Sequence, residues 1–423
     1  MRLDVPVSID MQVITTDGDM GLSDMATDGM STSHSSAAAG PCVAIYRTQI
    51  LPISETFVRD QALALRRWRP VLVGEREVKA LPIDGLSIRT GFSGPATLGQ
   101  RARGMIWRRF GLAPPRMTGV MRGVAPRLIH AHFGFDGVEA WPIARSLGVP
   151  LLVTLHGSDI TTRMEWFAQG RAGRRWQGYP ARLARLAQEE RVTFIAISES
   201  IRQAAMAAGL PESRIVVRPI GIDHSRFVPG GAPVAERRPV ILFLGRLVEK
   251  KGCIYLLEAF ERIRAQLPQA ELIVGGDGPE RPKLAGRAAS IGGVRFVGAF
   301  TRELAKTLME EARVFCLPSV TAENGDAEGL GLVILEAQAS GLPVVTSARG
   351  GATEGIQDGV TGYAFAERDV AGLTERLLAL LTDDALAARF SAAGPPFVAA
   401  NHDLHKQTAQ LEALYDRVAG VKP

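Results

Sequence analysis

Two glutamates eight positions apart, Glu328 and Glu336, bracket a glycine-rich run, Glu328-Gly329-Leu330-Gly331-Leu332-Val333-Ile334-Leu335-Glu336. If that run opens a helix, Gly329 and Gly331 leave amide hydrogens bare at the positive end of the dipole, which is a seat for phosphate oxygens. At 1.5 Å per residue the second carboxylate stands roughly 12 Å further along. Carboxylate pairs that hydrolyse glycosides are roughly 5 to 9.5 Å apart, so these two suit anchors at opposite ends of one ligand. Upstream, Gly245-Arg246-Leu247-Val248-Glu249-Lys250-Lys251-Gly252 brings two cations, Arg246 and Lys251, that can converge on one diphosphate. Gly275-Gly276-Asp277-Gly278-Pro279 is a turn that lets backbone approach a ligand closely. In Thr154-Leu155-His156-Gly157-Ser158-Asp159, His156 can donate to a hydroxyl or a phosphate oxygen. Each piece alone has a plain structural reading, cations beside a helix start or a glutamate complementing a dipole. Their agreement points to a nucleotide sugar, with Glu328 at sugar hydroxyls and Glu336 at the ribose.

The elements that must hold these residues follow from the apolar pattern. Buried strands are expected at 42–46, 71–73, 128–132, 151–155 and 193–197. A second set is expected at 240–244, 270–274, 294–297, 314–317 and 343–346, with helices such as 256–267 between them. This is an α/β chain of two doubly wound domains, with ligands at the carboxyl ends of the strands facing a central cleft. Residues 1–40, without sustained periodicity, read as a flexible leader. The first domain is expected over 41–222 and a linker over 223–239, where Pro229, Gly230, Gly231 and Pro233 fall. The second domain is expected over 240–397, and a helix within 398–423 is expected to pack back toward the first. His130 and His132 alternate within a strand, one expected to face the core and the other the cleft or solvent.

Composition narrows the class. Hydrophobic residues make up 46% and charged residues 22% of 423 residues, as in an ordinary globular enzyme. The three cysteines, Cys42, Cys253 and Cys316, lack CxxC spacing and a clustered histidine, which argues against disulfides or zinc and for a reduced, cytoplasmic setting. The Asp17-x-Asp19 pair lies in the leader and not after a strand, so no metal and no cofactor is expected. No complete GxGxxG opens either domain, which counts against a dinucleotide-dependent dehydrogenase. No apolar stretch is long enough to span a bilayer. The net charge of +5 is unevenly spread. Arg101, Arg103, Arg108, Arg109, Arg116, Arg122 and Arg127 fall within 100–127, which has no acidic residue. A second basic stretch, Arg163 to Arg191, is interleaved with Trp166, Phe167, Trp176 and Tyr179. These stretches are either solvated helix faces or contacts for anionic lipid or a pyrophosphate-linked acceptor, with peripheral attachment at the inner face of the membrane. Nucleic acid is not expected, because no binding module accompanies the charge.

Phe243 to Gly252, Gly276 to Pro279, Leu317-Pro318-Ser319 and Glu328 to Gly362 together resemble the donor domain of retaining glycosyltransferase family 4, across nearly the whole second domain. Leu51-Pro52-Ile53-Ser54-Glu55-Thr56-Phe57-Val58, His130-Ala131-His132-Phe133-Gly134 and Thr154 to Ile160 resemble bacterial exopolysaccharide and colanic-acid-type members. The resemblance implies the GT-B fold and a metal-independent hexosyl transfer with retention. The donor would be GDP-mannose or a UDP-hexose, and the acceptor a lipid-linked oligosaccharide. It implies that Arg246 and Lys251 hold the diphosphate, that Glu336 holds the ribose, and that Glu328 with Gly329, Leu330 and Gly331 holds the sugar and phosphate. His156 would stand beside the sugar, with Gly245, Gly276, Gly278 and Val297 also on the donor. Ser54, Glu55 and Thr56 would form an acceptor or phosphate loop. One departure is Ile220, where many members have Asn before the Gly-Ile-Asp that is here Gly221-Ile222-Asp223. A GT-B epimerase or phosphorylase, or a nucleotide-sugar-binding scaffold without turnover, would share the architecture.

Overall fold

The computed structural model describes residues 40–422 apart from 51, 53, 54, 78–81, 83, 84, 93–96, 98, 100–103, 105, 108, 109 and 348. The leader, except Gly40, lies outside the described residues, as do Asp17, Asp19 and Ser54.

Two parallel sheets form. The strands of the first are β1 Cys42–Ile50, β2 Arg69–Glu77, β3 Ser87–Thr90, β4 Leu128–His132, β5 Leu151–Leu155, β6 Val192–Ala196 and β7 Ile215–Val217. Their order in space is β3-β2-β1-β4-β5-β6-β7. Strands β4 and β5 are buried along their whole length, as parallel strands covered on both faces must be. The helices of this domain are α1 Thr56–Ala64, α2 Pro115–Val124, α3 Gly134–Leu147, α4 Met164–Ala168, α5 Tyr179–Leu186 and α6 Glu199–Ala207. Ala44, Tyr46, Ile129, Ala131 and Val153 pack with Ala140, Ile143 and Ala144 of α3 on one face of the sheet. Val43, Ile45, Leu72, Leu128 and Leu152 pack on the other face with Val58 and Ala62 of α1.

The second sheet contains β8 Val240–Leu244, β9 Glu271–Gly275, β10 Val294–Gly298, β11 Val314–Leu317, β12 Val344–Ser347 and β13 Gly362–Phe365. Its order is β10-β9-β8-β11-β12-β13. Around it lie α7 Cys253–Gln266, α8 Arg281–Ala288, α9 Arg302–Glu311, α10 Leu332–Ala339 and α11 Val370–Thr382, followed by α12 Asp384–Asn401 and α13 Leu404–Ala419. In each sheet the winding reverses once, between β1 and β4 and between β8 and β11, which is where such sheets leave a crevice for ligands.

Helix α13 lies on the first sheet, where Leu411, Leu414 and Tyr415 join Leu128 and Leu152. One carboxylate oxygen of Glu412 accepts from the amides of Arg66, Arg67 and Trp68 at 2.8, 2.6 and 3.0 Å. Trp68 Nε1 donates to Asp416 at 2.8 Å. The segment between the sheets is itself held down, since the Arg237 guanidinium donates to the carbonyls of Gly230, Ala232, Met309 and Ala312. Chain crosses between the domains twice, and the two crossings pair: Ile222 N donates to His402 O at 2.9 Å and Leu404 N to Ile222 O at 3.0 Å. Ile220, at the departure from the family pattern, is buried.

Candidate active site

On the second domain, Gly245 and Arg246 follow β8, and Lys251 closes a 3-10 turn, Glu249–Lys251, just before α7. The Lys251 ammonium meets Glu328 at 2.5 Å, and Ser319 donates to the same carboxylate oxygen at 3.2 Å. Lys250 pairs with Asp326 at 3.1 Å. Burial alone would raise the Glu328 carboxyl. Lys251 and Lys250, with the hydrogen bonds from Lys251 and Ser319, outweigh it and hold Glu328 at about 2. Gly331, with φ of +76°, caps α10, and no side chain caps this helix start. Ile334 N turns back to Gly331 O at 2.8 Å, and the amides of Leu332 and Val333 are left for an anion. Arg246 is exposed and has no ion-pair partner among the described residues.

Glu336, five residues into α10, stands in different surroundings, a narrow cavity shared with Thr56, Phe57, Asp60, Arg302 and Leu332. Its side chain keeps some exposure at the mouth but is surrounded by protein. Burial pushes its carboxyl up to about 7; Arg302 opposes the rise and Asp60 adds to it. Gly276 and Gly278 follow β9, and Val297 lies near the end of β10, half-buried. Gly276 N donates to Gly298 O at 2.7 Å, tying these two strand ends together.

On the first domain, His156 follows β5. Asp159 fixes the turn after it, accepting from Gly134 N at 2.7 Å, His156 N at 3.1 Å and Gly157 N at 2.8 Å. The imidazole lies between Phe57 and Phe133, with ring centroids at 4.9 and 4.5 Å. It also stacks on His132, whose Nδ1 is 3.1 Å from His156 Nε2. His130 and His132 do not divide between core and cleft. Residues two apart in a strand point to the same face, and their rings lie 4.4 Å apart. Burial pushes all three imidazoles down, His130 to about 3, so each is neutral at physiological pH.

Phe133 reaches His156 through a strained backbone, φ of +70° and ψ of 142° in a non-glycine residue. The Arg47 guanidinium lies 4.6 Å over its ring. Arg47 pairs with Glu55 and Asp136. Glu55 is thus an anchor between its turn and β1, with its carboxylate engaged inside the protein. Thr56, the first residue of α1, opens onto the cavity of Glu336.

The two faces meet. Gly329 comes so close to the first domain that an added Cβ would stand 2.1 Å from His156 O. Ser198 donates to Gly329 O at 2.7 Å, Thr161 to Asp326 at 3.0 Å, and Arg302 pairs with Asp60 at 2.7 Å. The Glu354 carboxylate accepts from Glu199 N at 2.8 Å and Ser200 N at 2.9 Å, at the start of α6. Strand-end placement in the sequence points to His156, Lys251 and Glu328, and the fold brings these to one cleft. Ser319, nine residues before Glu328 and just after an expected strand, carries the same signal. Such placement does not point to Lys250, Asp326, Arg302 or Asp60. Lys250 carries a local signal, its place beside Lys251; Asp326, Arg302 and Asp60 meet their partners across long stretches of chain that no spacing rule reaches.

The chain matches the family model described as glycosyl transferases group 1 over residues 229–396 and that of glycosyltransferase family 4 over residues 55–226. It is 33% identical over 287 residues, 64% of the chain and 72% of the relative, to a GDP-mannose-dependent alpha-(1-6)-phosphatidylinositol monomannoside mannosyltransferase of Mycolicibacterium smegmatis. Over 73% of the chain and 74% of the relative it is 30% identical to the amylovoran biosynthesis glycosyltransferase AmsK of Erwinia amylovora. It spans 74% of the length of the Erwinia relative and 51% of that of a GDP-mannose-dependent monoacylated alpha-(1-6)-phosphatidylinositol monomannoside mannosyltransferase of Corynebacterium glutamicum. The structure of Anabaena Alr3699/HepE in complex with UDP and glucose superposes with a TM-score of 0.70 at 20% identity, covering 88% of this chain and 99% of that one, a likeness of fold. Two wound domains about one cleft, a family model on each and relatives in two glycan pathways make the chain a member of glycosyltransferase family 4 with the GT-B fold.

Proposed function

We propose that this enzyme transfers a hexosyl unit, with retention and without a metal, from a nucleotide diphosphate sugar to a growing polyprenyl-diphosphate-linked oligosaccharide in exopolysaccharide assembly. The donor is GDP-mannose or a UDP-hexose; the mannosyltransferase relative is GDP-mannose-dependent by name, and the Erwinia relative serves amylovoran biosynthesis. The observation that carries the reading is the Lys251–Glu328 pair just before the start of α10, where Gly329 packs against the His156 carbonyl of the first domain. The diphosphate lies against Lys251, Arg246 and the amides after Gly331. Glu328, Gly329 and Leu330 face the sugar, and Glu336 takes the ribose. The bond from the anomeric carbon to the phosphate oxygen breaks while the acceptor hydroxyl attacks from the same face, its proton passing to the departing oxygen. Positive groups already in place stabilise the charge that grows on the diphosphate.

For the acceptor, a cleft of about 1190 Å³ in the first domain starts at Thr48 and Gln49, at the carboxyl edge of the sheet, and runs outward along α3 and α5. Six arginines and three glutamates, Glu75, Glu139 and Glu189, line it; Arg145, Arg174 and Arg185 have no ion-pair partners among the described residues, and Trp107, Phe110 and Leu112 form an apolar lip. That combination supports an anionic, lipid-bearing acceptor and attachment to the cytoplasmic face of the membrane. Among the described residues no helix is long and apolar enough to cross a membrane.

The test is turnover of a nucleotide-sugar panel onto a polyprenyl-diphosphate oligosaccharide, in chelator, with wild type and Arg246→Ala. Losing one positioned donor of this kind costs about 10²- to 10³-fold in kcat, and the variant should keep its thermal stability. Full turnover by the variant, or loss of activity in chelator, sinks the assignment.

A further inference from the structure

His132 is almost wholly buried, and its Nε2 is sealed from solvent with no hydrogen-bond partner among the described residues. Its other ring nitrogen, Nδ1, faces His156 Nε2 at 3.1 Å. A single proton lies between those two nitrogens, and where it resides decides what His156 offers to the cleft. If His156 Nε2–H donates, neutral His132 must carry its own proton on Nε2, leaving a buried N–H with no acceptor. If His132 Nδ1–H donates, the sealed Nε2 is a bare lone pair, and His156 carries its proton on Nδ1. Of these two defects, a buried donor without an acceptor is the rarer. His130 cannot relieve Nε2 of His132. Its two ring nitrogens are taken by Tyr415 OH at 2.6 Å and Thr154 Oγ1 at 2.7 Å. Nδ1 of His156 has no protein partner among the described residues and is not sealed, so it opens to the cleft between Phe57 and Phe133.

We propose that His132 is a positioning residue that donates from Nδ1 to Nε2 of His156 and thereby fixes His156 as the Nδ1–H tautomer, presenting the cleft with a hydrogen-bond donor. The role in turnover rests on the reading of His156 beside the transferring sugar. There the N–H meets an oxygen of the sugar or of the departing phosphate without any change of charge. A free imidazole flips between tautomers; one held from behind meets each donor molecule in the same form.

The experiment uses the full chain with ¹⁵N-labelled histidine. Long-range ¹H–¹⁵N correlation assigns the protonated nitrogen of His156, and steady-state kinetics are measured alongside. Wild type should show His156 protonated at Nδ1. In His132→Leu the tautomer should become mixed, and kcat should fall by about 10²-fold, the scale of one lost positioned donor, with the KM for the sugar donor little changed. In His132→Asn the side-chain amide stands near the Nδ1 position and can donate in its place, so both tautomer and turnover should recover. A wild-type His156 protonated at Nε2 overturns the proposal and leaves the overall function untouched. A tautomer that mixes in His132→Leu while kcat holds also overturns it, and takes the assignment of His156 to the sugar with it. Failure of His132→Asn to recover while His132→Leu stays folded assigns the loss to packing and overturns it as well.

Discussion

Glu328 and Glu336 share one helix start and one side-chain chemistry, yet their carboxyls move in opposite directions, to about 2 and about 7. Desolvation acts on both. Two lysines overcome it at Glu328, whereas Glu336 has one arginine, already paired with Asp60. The consequences differ in sign. Glu328 favours folding above the ordinary carboxylate range, and that contribution is lost as pH falls toward 2. Glu336 prefers to be protonated in the fold, so its favourable contribution is present in acid and lost as pH rises through about 7. With Glu336 on the ribose, as proposed, the charged form is the one that accepts from both hydroxyls. In the free enzyme kcat/KM for the donor should therefore rise through an apparent pKa near 7, and Glu336→Gln should flatten that limb at a lower value. A limb unchanged in Glu336→Gln would remove Glu336 from the ribose.

At the scale of elements, α13 belongs to the first domain by contact although it follows the second in sequence. Its tie is the Glu412 carboxylate under three amides, those of Arg66, Arg67 and Trp68. Glu412→Ala leaves the amide of buried Trp68 unanswered and should cost about 1 to 3 kcal/mol, while the amides of exposed Arg66 and Arg67 can turn to water. Thermal unfolding followed by circular dichroism reads the loss, and an unchanged midpoint would mean that water replaces the carboxylate. The central strands were legible in the sequence because burial on both faces favours continuous apolar runs; β8 and β11 obey this, β5 does so apart from Thr154, and β4 carries His130 and His132 within its run. The edge strand β3 alternates between exposed and half-buried, β7 is half-buried throughout, and both escape the same rule. The donor-side loops were legible too, since strand, glycine turn and helix are contiguous in sequence. The Arg47–Asp136 pair joins residues 89 apart, and the two histidines of β4 needed the two-residue period of a strand read for its face.

At the scale of the whole molecule, the two domains are joined by polar contacts beside a shared buried cluster. Glu354 serves as a borrowed acceptor for the first amides of α6, and Ser198 caps that helix at Ile201 while also donating to Gly329. An acceptor at a helix start is worth about 0.5 to 2 kcal/mol. Spent on closure, that amount raises the donor KM of Glu354→Ala by roughly 2- to 30-fold with kcat nearly kept. A fall in kcat at constant KM would show instead that the contact acts on the chemical step.

The paired crossings at Ile222 and His402–Leu404 set how such a cleft can open. Gly221 has no room for a side chain there; a Cβ would stand 2.6 Å from Leu404 Cα. Two strands of chain fastened side by side behave like the knuckles of one hinge, passing swing about a single line and resisting sideways slip or roll. Were the lobes to swing apart, such a joint would return the lysines and carboxylates of one to the same register against the imidazole of the other, with alignment restored by the backbone.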